Sequence, residues 1–184
     1  MSKSKYDITI HAGHNTPHKN GCGAVGILDE SEYTRKVLKE VKKKLKKHKI
    51  TFNDITVENA KGAIDVLKKL KERENKCLKK INISLHLNCF NKTANGTEVL
   101  YRAKKPNTRK YYSSMKKAGI KKREDVKRTN LYIMNQFNAP TFLIELGFCD
   151  NKNDCKALEK NIEKVASAVT WFIIKNLKEV KKWQ

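Results

Sequence analysis

The sequence predicts a single α/β domain: a central, twisted, mostly parallel sheet of about six strands, with helices on both faces. Three observations predict it. Segments with strand alternation take turns with segments of helical apolar spacing along most of the chain. Thr141-Phe-Leu-Ile-Glu145 is a nearly continuous apolar run, the pattern of a strand buried on both faces. The length of 184 residues suffices for one buried core and is short for two ordinary domains. The domain is expected to span 1–184 with no internal linker. Its abrupt polar ending at Lys181 to Gln184 suggests a domain excised from a longer protein.

The elements follow in order. Tyr6 to Ile10 alternates polar and apolar and reads as a strand, leading into a loop rich in Gly, His and Asn from His11 to Gly26. A helix is expected from Glu30 to Lys47, because Tyr33, Val37, Val41 and Leu45 recur every four residues with Leu38 beside them. Ile50 to Val57 reads as a strand. Ala60 to Lys76 reads as a helix with Ile64, Leu67 and Leu70 along one side. Ile81 to Leu87 is a strand whose Ile83, Leu85 and Leu87 point one way, and Ser84, His86 and Asn88 the other. Thr97 to Tyr101 is a short strand, Asn107 to Ala118 a helix closed by Gly119, and Leu131 to Met134 another short strand. After the apolar run at Thr141, one long helix is expected from Asp154 to Leu177, buried along Ile162, Val165, Ala166, Val169, Phe172 and Ile173.

Lys and Arg number 41 against 19 Asp and Glu, for a net charge of +22. That implies attraction to an anionic partner, and nucleic acid, anionic lipid and anionic wall polymer all qualify. Many of the lysines fall in helices, where a solvated face explains them equally well. No apolar run approaches the ~18 residues of a membrane span. No apolar stretch of signal length follows the basic N-terminus, so synthesis in the cytoplasm without a secretion signal is expected. The five cysteines, Cys22, Cys77, Cys89, Cys149 and Cys155, are odd in number and include no Cys-x-x-Cys pair, which argues against a zinc ribbon. They read as inert thiols of a reducing compartment.

The chemistry-bearing residues are few. His11, His14 and His18 crowd the first loop, His86 lies on the polar face of its strand, and His48 falls in a Lys-rich helix end. Glu145 ends the most apolar strand, where a carboxylate costs several kcal/mol unless paired or metal-bound. Sites in open α/β sheets form at the carboxyl ends of strands, and His14, His86 and Glu145 all fall at or near such ends. Two His and a Glu with one open position make a catalytic zinc site, and a further carboxylate would serve as general base. Glu30 and Glu32, at the start of the first helix, are equally explained as acidic residues favoured by the helix dipole. Glu145 also reads as an ion-pair partner of one of the many lysines.

At these residues the chain resembles the zinc-dependent N-acetylmuramoyl-L-alanine amidases of the type-3 family, peptidoglycan hydrolases found among autolysins and phage endolysins. Ile10-His-Ala-Gly-His14 resembles the family's first strand and its Gly-His ligand. Gly23-Ala-Val-Gly26, with acidic residues after it, resembles the segment leading to the Glu ligand. Ser84-Leu-His-Leu-Asn88 and then Gly96-Thr-Glu-Val-Leu-Tyr101 resemble the Ser-x-His-x-Asn strand and its Gly-x-Glu continuation. Pro140-Thr-Phe-Leu-Ile-Glu-Leu-Gly-Phe148, followed by Asn151, resembles the segment carrying the catalytic Glu.

The resemblance implies one zinc ion held by His14, Glu32 and His86, Glu145 as the catalytic carboxylate, and Asn88 as a residue that would orient substrate. Glu32 is preferred over Glu30 because the family's ligand is followed five residues later by an apolar residue: Val37 from Glu32, but Arg35 from Glu30. Glu30 lies three residues before Tyr33 and also fits the core side, so helix geometry leaves both open. His11 stands where the family often has Asp, and neither it nor His18 receives a role. The implied reaction is hydrolysis of the amide between N-acetylmuramic acid and L-alanine, by a monomer acting on bacterial peptidoglycan, drawn there by anionic teichoic polymers. The composition and the lack of a signal point towards an endolysin of a clostridial-type phage. Two other classes compete: a zinc peptidase or carboxypeptidase on a related fold, and a basic nucleic-acid- or wall-binding module without catalysis. No nucleic-acid-binding signature supports the latter.

Overall fold

A computed structural model describes residues 4–180. The polar ending at Lys181 to Gln184 lies outside the described residues. The elements are β1 (Ser4–Lys5), β2 (Ile8–Ala12), α1 (Glu30–Lys47), β3 (Phe52–Asp54), α2 (Ala63–Asn75), β4 (Cys77–Leu78), β5 (Ile81–Asn88), β6 (Glu98–Tyr101), α3 (Arg109–Lys117), β7 (Val126–Lys127), α4 (Tyr132–Gln136), β8 (Thr141–Phe148), α5 (Lys152–Lys160) and α6 (Ile162–Val180).

Six strands form one sheet in the order β3-β2-β5-β8-β6-β7, parallel throughout except where β6 runs antiparallel to β8. Strands β1 and β4 form a small parallel pair of their own. The expected fold class is the one observed. Alternation along the central strands decides what each face does. Ile8 and Ile10 of β2, Ile83 and Leu85 of β5, and Phe142 and Ile144 of β8 join α1, α3 and α6 in the main core. The opposite face carries Leu100 and Leu143, which meet Val66 and Leu70 of α2 and Ile133 and Met134 of α4 in a smaller cluster. This second face also carries the polar residues, and only part of it is covered by helix.

Three expected elements differ. Residues 131–134 do not form a strand: α4 begins at Tyr132, and Ile133, Met134 and Phe137 pack together at helical spacing. The long last helix is two helices, divided at Asn161, whose side chain donates to the Ala118 carbonyl at the end of α3. On α2 the buried residues are Val66, Leu70 and Glu74, four apart, while Ile64 is 72% exposed. The short strands β1, β4 and β7 have two residues each, too few for a period to register in sequence. No helix among the described residues is long and apolar enough to cross a membrane.

Candidate metal centre

The C-terminal ends of β2 and β5 and the start of α1 meet at one point. His14 Nε2 and His86 Nδ1 each lie 3.0 Å from Glu30 Oε1, and 3.2 Å from one another. Among the described residues this is the one group of three or more His, Cys, Asp or Glu side chains close enough to share a metal ion.

Local structure places each member. His14 has a left-handed backbone, φ 65°, a conformation that costs on the order of 1–3 kcal/mol for a non-glycine residue. The loop around it holds that turn. Asn15 donates to the carbonyls of Asn20 and Ala60 and accepts from the Ala60 amide. Arg35 reaches back from α1 towards the Gly13 and His14 carbonyls while paired with Glu58. A Cβ at Gly13 would stand 2.2 Å from the His86 ring, and one at Gly23, at φ 89°, 2.6 Å from Glu30 Oε2. Both positions must therefore be glycine for the rings and the carboxylate to close together.

Glu30 opens α1, where Asp29 caps the helix by accepting from the Glu32 amide. Its Oε2 accepts from the Ala24 amide and its Oε1 from the Leu87 amide, so the carboxylate is fixed at both ends. Burial alone would raise its pKa, but hydrogen bonds from His14 and His86 outweigh that and hold it far below the usual carboxylate range. Ser84 Oγ lies 2.8 Å from His86 Nε2, which orients the ring so that Nδ1 faces the group.

Glu145 lies on β8, paired across the ladder with His86 on one side and Glu98 on the other. Its Oε2 is buried without a hydrogen-bond partner. Burial first, then the charges of Glu30 and Glu98, raise its pKa well above the ordinary value. Three like charges converging on a buried site are stable together only if a cation or protons join them.

The structure brings His14 and His86 to one point and sets Glu145 across the ladder from His86. It sets Glu30 beside the histidines, and not Glu32. Glu32 lies on the exposed side of α1, its Oε1 2.7 Å from the Lys36 ammonium. The reason lies in the helix period. Glu30, Tyr33, Val37, Val41 and Leu45 share the buried side of α1, whereas Glu32 and Lys36 share the other. The five-residue spacing pointed away from Glu30 because Arg35 is not a core residue. It braces the His14 loop.

Asn88 does not stand free. Its Nδ2 donates to Glu98 Oε1, and Arg123 Nε donates to Glu98 Oε2. His18 is exposed, 3.6 Å from Asp29. All five cysteines are free.

Residues 8–175 match the family model of the N-acetylmuramoyl-L-alanine amidases, Amidase_3. The chain belongs to this family. It is 37% identical over 111 residues to an uncharacterised cell wall amidase of Bacillus anthracis, a match spanning 54% of this chain and 21% of that protein. It is 28% identical over 186 residues to an uncharacterised 38.4 kDa protein of Clostridium perfringens, spanning 92% of this chain and 50% of that one. The chain thus matches half or less of the length of these curated relatives.

Among solved structures, the catalytic domain of an endolysin targeting Clostridia difficile superposes with a TM-score of 0.79 at 26% identity, covering 93% of this chain and 97% of that one. An N-acetylmuramoyl-L-alanine amidase from Clostridium difficile superposes at 0.72 and 22% identity, covering 97% and 98%. This second likeness is one of fold. The family match spans all four motif segments. It leaves Arg123 as the residue that sequence reasoning missed: it becomes visible only when β6 sets Glu98 beside it.

Proposed function

We propose that this domain hydrolyses the amide bond between N-acetylmuramic acid and L-alanine in bacterial peptidoglycan, with one zinc ion as cofactor. The observation that carries the reading is the convergence of His14, Glu30 and His86 beside Glu145 on the adjoining strand. The donor set fits zinc: two imidazole nitrogens and one carboxylate oxygen, from a rigid frame, match the three protein ligands of a catalytic zinc site. Oriented outer partners complete the fit, namely Ser84 on His86 and two backbone amides on Glu30.

When bound, zinc supplies Lewis-acid polarisation of the scissile carbonyl and lowers the pKa of water beside it towards ~7. The protein's own residues do the rest. Glu145 takes a proton from the attacking water at a carboxylate oxygen and delivers it to the amine nitrogen of the departing L-alanine. Its burial keeps bulk water from competing for that proton. Asn88 and Arg123 fix Glu98, the cross-strand neighbour of Glu145, and with it one wall of a groove lined also by Phe90, Arg128 and Phe148. The stem peptide, with its carboxylates, suits this cationic groove, and Asn88 contributes to positioning it. The net charge of +22 draws the domain to anionic wall polymers.

The test is product analysis on purified peptidoglycan, with metal removed and then zinc restored. New L-alanine amino termini without new reducing sugar ends, lost on stripping and regained with zinc, are expected. Release of a different amino group would replace the amidase by a peptidase, and no cleavage under any metal condition would leave a binding module.

A further inference from the structure

Cys89 and Cys149 are 60 positions apart in the chain and follow directly on the ends of β5 and β8. These two strands are parallel neighbours, with Asn88 opposite Phe148 at their close. The Cys149 amide donates to the Asn88 carbonyl at 2.8 Å, so the two backbones stay hydrogen-bonded up to the cysteines. Neighbouring strands lie about 4.8 Å apart, within the roughly 4.4–6.8 Å between Cα atoms that a disulfide spans. The side chains meet as well. After burial, a hydrogen bond with the Cys89 thiol is the next cause that pushes the Cys149 thiol above its ordinary pKa.

The surrounding chain holds this pair in place. The amides of Phe90 and Lys92, just past Cys89, both donate to the Asp150 carboxylate, just past Cys149. Asn151 Nδ2 donates to the Lys92 carbonyl. The two thiols differ in access: Cys89 is exposed, whereas Cys149 is 0% exposed and belongs to the main core. A reagent in solution therefore meets Cys89 first, and reaches Cys149 only through it. Cys155 and Cys77 are occupied differently, their thiols donating to backbone carbonyls of Phe148, Cys149 and Glu74.

We infer that Cys89 and Cys149 are a dithiol that a small-molecule disulfide oxidises to a disulfide bond, joining the ends of the strands that carry His86 and Glu145. The Cys89 thiolate attacks one sulfur of the oxidant, forming a mixed disulfide and releasing the first small thiol. Cys149 then loses its proton and attacks the Cys89 sulfur, and the second small thiol departs. Two protein thiols are oxidised, one oxidant disulfide is reduced, and the two protons end on the released thiols. Burial makes the Cys149 thiolate scarce, and the contact with Cys89 offsets this by making the second step intramolecular. In a reducing compartment the pair stays open; it closes where disulfide oxidants prevail. His86 lies three residues before Cys89 and Glu145 four before Cys149, so the bond pins the spacing of the two strands close to both side chains. None of this depends on the amidase reading.

The test is incubation of the folded chain with glutathione disulfide, followed by intact mass, thiol titration and non-reducing peptide mapping. Loss of two hydrogens, loss of two of the five thiols and a peptide joining Cys89 to Cys149 are expected. The melting temperature is expected to rise by about 5–15 °C and to return when a reductant is added. Cys149→Ala is expected to stop at the first step, with one glutathionyl group held on Cys89. Cys89→Ser, a change at an exposed position, is expected to keep its remaining thiols and an unmoved melting temperature. A wild-type chain that retains the glutathionyl group, joins a different pair of cysteines or keeps all its thiols would overturn the dithiol. A Cys89–Cys149 bond that left the melting temperature unmoved would overturn its pinning of the strands.

Discussion

The Nε2 of His14 and the Nδ1 of His86, 72 residues apart in the chain, stand 3.2 Å apart beside one oxygen of Glu30. Two ring nitrogens and a carboxylate at that spacing form a claw, and the third arm is Glu30. Replacing Glu30 by Gln is expected to weaken zinc binding by more than the ~10–100-fold that loss of an outer partner costs. Glu32→Gln, on the exposed side of α1, is expected to leave zinc affinity unchanged. Isothermal titration with zinc compares the two. Equal losses, or a larger loss for Glu32, would reassign the third arm.

Glu145 is a buried carboxylate with one unpaired oxygen, next in the sheet to His86. Glu145→Gln keeps its shape and removes its capacity to carry the proton. Turnover is expected to fall by about 10²–10⁴-fold, the usual contribution of general acid–base catalysis, with zinc content retained. A variant that lyses walls near the wild-type rate would end the role assigned to Glu145.

Glu98 acts on Glu145 through charge. Burial is the largest cause of the raised Glu145 pKa, with Glu30 and Glu98 adding to it. Glu98→Gln removes one like charge, so the Glu145 pKa falls towards the ordinary carboxylate value. A base with a lower pKa stays deprotonated to lower pH. The acidic limb of the kcat/KM profile is therefore expected to move down in pH. A limb that stays in place, or moves up, would separate Glu98 from Glu145.

At the other end of the same sheet face, Lys79 Nζ lies 2.5 Å from Glu74 Oε1, with side chains 4% and 0% exposed. The pair is tied in by Asn82, the Asn138 amide and the Cys77 carbonyl. Lys79→Met leaves the Glu74 carboxylate buried without its counter-charge, and is expected to cost about 3–5 kcal/mol of stability in chemical denaturation. Adding Glu74→Gln is expected to recover a large part of that. If the single variant lost less than about 1 kcal/mol, the pair would behave as a solvated one.

Attraction to walls is an electrostatic claim and carries a salt dependence. At physiological ionic strength exposed charges are screened beyond about 8 Å. Binding of the domain to purified walls rich in teichoic polymer is expected to drop steeply as salt is raised, and to drop at low salt when the polymer is stripped. Binding indifferent to both would leave the charge of +22 as surface solvation alone.

The sequence by itself determined the kind and order of the longer elements and the faces of the central strands, but not the short helix α4, which reads as a strand, nor the division of the last helix at Asn161. Those properties depend on local spacing, alternation by two or recurrence by three and four, and they survive into the fold at Ile83, Leu85 and His86 and along α1. It also named His14, His86 and Glu145, because a His or Glu within or just after an apolar strand is conspicuous, although β8 runs on past Glu145 to Phe148. Only the tertiary structure decided between Glu30 and Glu32, because one turn of helix carries both and the choice depends on which side meets β5. Only it placed Glu98 beside Glu145 and brought Asn88 and Arg123 onto Glu98, since strand order and register join residues that no local period relates. Only it left His11 Nε2 buried without a partner, because whether a polar atom is satisfied depends on every element packed around it.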